Sequence, residues 1–103
     1  MATSPSKQSK ENTKIPVQRV QTGVRIEKRL LKVLKALAEY YDMTLGDLLE
    51  GIVLHAFDGK CAFTNEEILK HIADLKRIYG IDFDSSASHQ FVEQNSKTED
   101  KEI

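Results

Sequence analysis

The sequence predicts a mainly α-helical protein with one N-terminal strand, two core helices and a third, amphipathic helix nearer the C-terminus. Three patterns support this fold class. Residues 20–26 alternate between less polar and more polar positions, as in a strand with one wet face. Residues 28–57 contain two helical apolar repeats separated by a short break, and residues 64–80 contain a third.

The predicted strand has two faces of different character. Gln21, Gly23 and Arg25 form its polar face. The opposite face carries the less polar residues Val20, Thr22, Val24 and Ile26. A strand of this length cannot satisfy its own amides and carbonyls, and no other segment of the chain alternates comparably. Its simplest partner is the same strand of a second copy, which predicts an antiparallel ribbon across a homodimer.

The first core helix is predicted over residues 28–41. Its apolar positions at helical spacing are Leu30, Leu34, Leu37 and Tyr41. Lysines and a glutamate occupy the opposite side, so this helix is amphipathic and is expected to bury one face.

The second core helix is predicted from Thr44 to about Phe57. Thr44 and Asp47 form a capping box, and residues 58–59 provide a left-handed stop. Apolar residues cover more of this helix than one neighbouring helix needs, so a second protomer is expected to cover the rest. The predicted dimer core consists of Val24, Ile26, Leu34, Leu37, Leu48, Leu49, Ile52 and Val53.

A third helix is predicted between Thr64, which forms a capping box with Glu67, and Gly80. Its apolar stripe is Ile68, Ile72, Leu75 and Tyr79, and it packs either on the helical core or on another molecule. The predicted domain organisation is a disordered basic arm at 1–15, a dimerisation domain at 16–59, a helical extension at 60–92 and a disordered tail at 93–103.

The order of strand, helix, turn and helix from Arg19 to Phe57, with the Thr44–Asp47 turn, resembles the ribbon-helix-helix (methionine repressor/Arc-like) family of dimeric DNA-binding proteins. The resemblance implies that the paired strands enter the major groove and that Gln21, Gly23 and Arg25 face the bases. It also implies phosphate contacts at the start of the second helix. The expected phosphate contacts are Arg19, Lys28, Thr44, Leu45 and Gly46. Gly23 departs from the pattern, because it brings no side chain to the middle reading position.

The charge distribution is consistent with a nucleic-acid partner. The net charge is −1, but residues 1–35 carry nine basic and two acidic side chains, a surplus of seven positive charges. The basic part of the chain contains the predicted ribbon, and a dimer would double its positive field.

The sequence contains little that indicates an enzyme. His55, His71, His89 and Cys61 lack the spacing of a metal-binding set, and no cofactor or catalytic pair is predicted. Cys61 is interpreted as a small apolar filler. The absence of an apolar run of membrane-spanning length indicates a soluble, cytoplasmic protein without a membrane partner.

The leading functional hypothesis is therefore a sequence-specific DNA-binding homodimer that acts as a transcriptional repressor or regulator. One alternative is an antitoxin or adaptor in which residues 63–91 bind a protein partner. Another is a ribbon-helix-helix dimerisation module that does not bind DNA.

Overall fold

The computed structural model describes residues 14–94, and this part of the chain is mainly helical. The predicted arm and tail therefore lie largely outside the described residues. The elements of the described chain are helix α1 at Lys28–Tyr40, helix α2 at Leu45–Phe57, helix α3 at Glu66–Ile78 and a short 3-10 helix at Ser85–Ala87. The three predicted helices are thus confirmed. Within residues 14–94, no helix combines the length and the apolar character needed to cross a bilayer.

The segment that precedes α1 forms no secondary structure within a single chain. Residues 14–27 contain neither helix nor turn, and residues 14–26 are all exposed to solvent. In this described segment no backbone amide or carbonyl before Glu27 takes part in a backbone hydrogen bond. The strand predicted at residues 20–26 is therefore not seen in the single chain, because no segment of the described residues pairs with it.

Helix α1 is the centre of the fold. Helices α2 and α3 each pack against α1, and no Cα atom of α2 lies within 8 Å of a Cα atom of α3. Leu37 of α1 is the most deeply buried of the core residues, with 2% of its surface exposed. The other buried hydrophobic residues are Val33, Ala38, Leu48, Ile68, Leu75 and Ile81. Since α3 contributes two of them, its apolar stripe packs on the protein's own core.

Local capping explains where α2 begins and ends. The Asp47 amide donates to Thr44 Oγ1 over 3.1 Å, which is one half of the predicted capping box. The second half of the box, in which the Thr44 amide would donate to the Asp47 carboxylate, is absent among the hydrogen bonds of the described residues. Gly59 has a φ of +71° and follows the helix as the predicted left-handed stop.

The start of α3 differs from the prediction by one residue. Asn65, rather than Thr64, is the N-cap, because its Oδ1 accepts from the amides of Glu67 and Ile68 at 2.7 and 3.2 Å. Asparagine is as good a cap as threonine or better, so two adjacent capping residues compete and the sequence alone does not rank them.

Residues 81–94 form a C-terminal segment that folds back over the start of α1. Ile81 is buried in the core, and the rings of Phe83 and Phe91 meet edge to face with centroids 5.1 Å apart. Arg29 of α1 holds the segment from the other side, since its guanidinium lies 5.2 Å from the Phe83 ring centroid. An open apolar groove of about 460 Å³ lies between this segment and α1.

Glu27 caps α1 as a carboxylate. Its Oε1 accepts from the Leu30 amide at 2.9 Å, and its Oε2 accepts from Arg29 Nε at 2.9 Å. Burial alone would raise the pKa of Glu27, but the hydrogen bonds from Leu30 and Arg29 outweigh it and lower the pKa below its usual 4.5. A group with a lowered pKa in the folded state stabilises that state at neutral pH and loses this contribution on protonation.

We therefore expect Glu27→Gln to reduce the acid sensitivity of the fold. In the native protein, the free energy of unfolding should fall as the pH drops below about 4.5. In the variant, this part of the pH dependence should disappear, while stability at neutral pH is lower than in the native protein. Urea denaturation at a series of pH values measures both effects. Parallel pH curves for the two proteins would contradict the capping role.

Candidate nucleic-acid interface

The three predicted base-contacting residues all lie in residues 14–27, the segment without secondary structure that precedes α1 and that we call the extended segment. Gln21, Gly23 and Arg25 are exposed to solvent. No heavy atom lies within 4 Å of a Cβ built on Gly23, apart from its chain neighbours, so nothing in the described chain requires a glycine there. A need for a small residue at position 23 would therefore come from outside the described residues, for example from a second copy of the segment or a nucleic acid.

Arg25 has an intramolecular partner that the sequence did not reveal. Its guanidinium forms a forked ion pair with the carboxylate of Glu93, in which Arg25 Nε donates to Glu93 Oε1 at 3.2 Å and Arg25 Nη2 donates to Glu93 Oε2. The two residues are 68 positions apart in the sequence. In the free chain, the guanidinium of Arg25, which has the best geometry for reading guanine, is thus paired with a carboxylate.

Arg19 is paired in a similar way with Glu50 of α2. Arg19 Nε and Nη2 donate to the two Glu50 carboxylate oxygens, both at 2.7 Å. The hydrogen bond with Arg19 lowers the pKa of Glu50, and the same bond raises the pKa of Arg19. Because Glu50 lies one helical turn after Gly46, this pair brings the extended segment close to the start of α2.

The start of α2 has the features of an anion-binding helix terminus. Thr44 is the N-cap, and Gly46 is exposed with open space around it. Among the described residues, the amides of Leu45 and Gly46 have no hydrogen-bond acceptor. Free amides and the positive end of the helix dipole favour a phosphate at this position. Lys28 stands exposed at the start of α1, at the end of the extended segment.

Arg29 belongs to the fold rather than to this surface. Its Nη1 donates to the Gly80 carbonyl at 2.9 Å, and it also pairs with Glu27 and lies over Phe83. Not every cation of the basic half is therefore free to meet a phosphate. The cations of the described extended segment, with the first residue of α1, are Lys14, Arg19, Arg25 and Lys28.

Sequence reasoning missed Glu50 and Glu93 as parts of this surface. Glu50 had a local signal, because it is an acidic residue in the middle of a mainly apolar helix and lies one turn after Gly46. Glu93 had none, since its contact with Arg25 depends on how the C-terminal segment folds back.

The predicted dimer core is only partly buried in one chain. Leu37 and Leu48 are buried, and Leu34, Leu49 and Ile52 are half-buried. Val24, Ile26 and Val53 are exposed. The residues next to Val53 on the outer face of α2 are exposed as well, with Leu54 at 64% and Phe57 at 80%.

The histidines and the cysteine do not form a site in the described structure. His55 Nδ1–H donates to the Gly51 carbonyl over 2.8 Å, and His71 stacks on Tyr40. Cys61 is exposed, so its interpretation as an apolar filler is wrong. No group of three potential metal ligands is present within residues 14–94.

Comparison with protein-family models, with curated proteins and with solved structures finds no match to this chain.

Proposed function

We propose that this protein is a homodimeric, sequence-specific DNA-binding protein of the ribbon-helix-helix type that regulates transcription in the cytoplasm. Residues 20–26 of two copies would pair as an antiparallel ribbon and enter the major groove. The observation that carries the proposal is the exposed, unpaired extended segment directly before a two-helix unit. Its backbone donors and acceptors are unpaired within the described chain, and a second copy can form hydrogen bonds with them.

The exposed apolar side chains support the dimer. Val20 and Val24 are 80% and 73% exposed in the single chain, and α2 exposes Leu54 and Phe57. Scattered apolar residues on a surface need no explanation, but here the segment before α1 and helix α2 both have apolar faces without cover from the described chain. A second copy provides both the missing strand and the missing cover for α2, which is the simplest closed arrangement.

The polar face of the segment supports the DNA contact. Arg25 can bond bidentately to guanine, and Gln21 can bond bidentately to adenine. The free amides at the start of α2 suit a phosphate and would fix the protein on the duplex without reading its sequence. The division into base-reading and phosphate-holding groups is what a sequence-specific binder needs.

The test is the effect of Arg25→Ala on DNA affinity. A preferred site is first selected from a random-sequence duplex library with the native protein. The variant should bind that site more weakly by about 1–3 kcal/mol, and it should tolerate base changes at one position of the site. Fluorescence anisotropy with labelled duplexes measures both effects.

Lys14→Ala is a matched control for Arg25→Ala, because it removes an exposed cation from the same extended segment outside the predicted strand. It should weaken binding to all duplexes alike and reduce the salt dependence of affinity. If Arg25→Ala behaves in the same way as Lys14→Ala, the base-reading role of Arg25 is wrong.

A dimerisation module without DNA binding is the second candidate. It is favoured by the ion pairs of Arg19 and Arg25 with carboxylates of their own chain, and by Gly23. Titration with a mixed-sequence duplex separates the two candidates, since phosphate neutralisation gives binding that weakens steeply with salt. The third hypothesis, a protein partner at residues 63–91, loses support because Ile68 and Leu75 are already buried in the chain's own core.

A further inference from the structure

The C-terminal segment is held at the base of the extended segment by several independent contacts. Ile81 is inserted in the core, and Phe91 packs against Phe83. Arg29 fastens the start of the segment by its bond to the Gly80 carbonyl and by its position over Phe83. The position of the following residues is therefore set by packing as well as by charge.

These contacts bring residues 91–94 alongside residues 24–28, where the two stretches line opposite sides of one open cleft. The ion pair between Arg25 and Glu93 crosses this cleft. The charge of the C-terminal segment is one-sided, since residues 81–94 contain three acidic residues, Asp82, Asp84 and Glu93, and no lysine or arginine. A carboxylate that accepts hydrogen bonds from one guanidinium through both of its oxygens presents the same pair of acceptors as a phosphate or the edge of a guanine.

We propose that Glu93 is an internal competitor of DNA, which occupies the guanidinium of Arg25 in the free protein and must leave it when Arg25 contacts DNA. This inference rests on the proposed DNA-binding function and adds its regulation. The C-terminal segment then lowers the affinity of every binding mode that uses Arg25. It leaves unchanged a binding mode that relies on other cations alone.

The exposure of the pair limits the size of the effect. The side chains of Arg25 and Glu93 are 77% and 61% exposed, so water and salt screen their attraction. Displacing Glu93 should therefore change DNA affinity by about two- to fivefold at low ionic strength. A competitor of this strength adjusts affinity without blocking binding.

The experiment is a double-mutant cycle on DNA affinity with a labelled duplex that carries the site selected by the native protein, at an ionic strength of about 50 mM. Its four proteins are the native chain, Glu93→Gln, Arg25→Gln and the double variant. Glu93→Gln should bind about two- to fivefold more tightly than the native chain. In the Arg25→Gln background, the same change should give a smaller gain, because no guanidinium remains to be released.

Asp82→Asn is the matched control, because it removes one negative charge from an exposed side chain of the same segment, and no ion pair of Asp82 occurs among the described residues. The NMR signal of the Arg25 Nε–H group gives a readout without DNA, and it should shift in Glu93→Gln but not in Asp82→Asn. An equal gain in affinity for Asp82→Asn and Glu93→Gln, or no gain for Glu93→Gln, would overturn the competition while leaving DNA binding intact. Failure of all the proteins to bind the duplex would overturn the proposed function together with the competition.

Discussion

Replacing Leu37 by alanine is expected to lower the free energy of unfolding by about 2–5 kcal/mol. Leu37 is the most deeply buried residue of the core and lies on α1, the helix that contacts both α2 and α3. Its truncation removes apolar contacts and leaves a cavity that helices on both sides cannot readily fill. Because small domains are only marginally stable, a loss of this size should leave much of the protein unfolded near 37 °C. Urea denaturation followed by circular dichroism measures the change.

Leu69→Ala is the control for this substitution. Leu69 lies on α3 and is largely exposed, so the same truncation removes little buried surface and should have a small effect. If both variants lose similar stability, the burial of Leu37 at the centre of the fold is wrong.

The helices could be predicted from the sequence because their signals are local. Apolar spacing placed α1, α2 and α3, and the Thr44 cap and Gly59 stop gave the limits of α2 to within one residue. Adjacent capping residues were harder to separate, as the choice of Asn65 over Thr64 at the start of α3 demonstrates. Such boundary errors arise because neighbouring residues offer nearly equal hydrogen bonds.

The ion pairs of the candidate interface could not be predicted, because their partners are far apart in the sequence. Arg19 and Glu50 are 31 positions apart, and Arg25 and Glu93 are 68 positions apart. Neither separation has a helical or strand period that a local pattern could reveal. The position of Glu93 depends on the packing of residues 81–91, which form a docked segment that contains a short 3-10 helix.

The predicted strand raises a different difficulty, because a strand exists only with a partner. The alternation in residues 20–26 predicts which side chains share a face, but within residues 14–94 no segment pairs with them. Val20 and Val24 are accordingly exposed in the single chain. Measurements of self-association test whether a second copy covers these side chains.

Leu54→Glu is expected to separate the proposed dimer into folded monomers. Leu54 is 64% exposed on the outer face of α2, so a glutamate there is compatible with the fold of one chain. In the dimer it would place an unpaired carboxylate inside an apolar interface, which costs about 3–5 kcal/mol. The dissociation constant should therefore rise by more than a hundredfold. Analytical ultracentrifugation over a range of concentrations measures it.

The native protein should sediment as a dimer at micromolar concentration, and its melting temperature should rise with concentration, because dissociation and unfolding are linked. Leu69→Glu, the same substitution on the exposed side of α3, should leave the dimer intact. A native protein that sediments as a monomer, with a melting temperature independent of concentration, would remove the paired ribbon. The DNA-binding proposal would then fail with it, because a single extended segment has no second strand to form a two-stranded reading surface. A dimer that tolerates Leu54→Glu would leave the ribbon possible but exclude the outer face of α2 from the interface, so that the two copies would be joined through their extended segments alone.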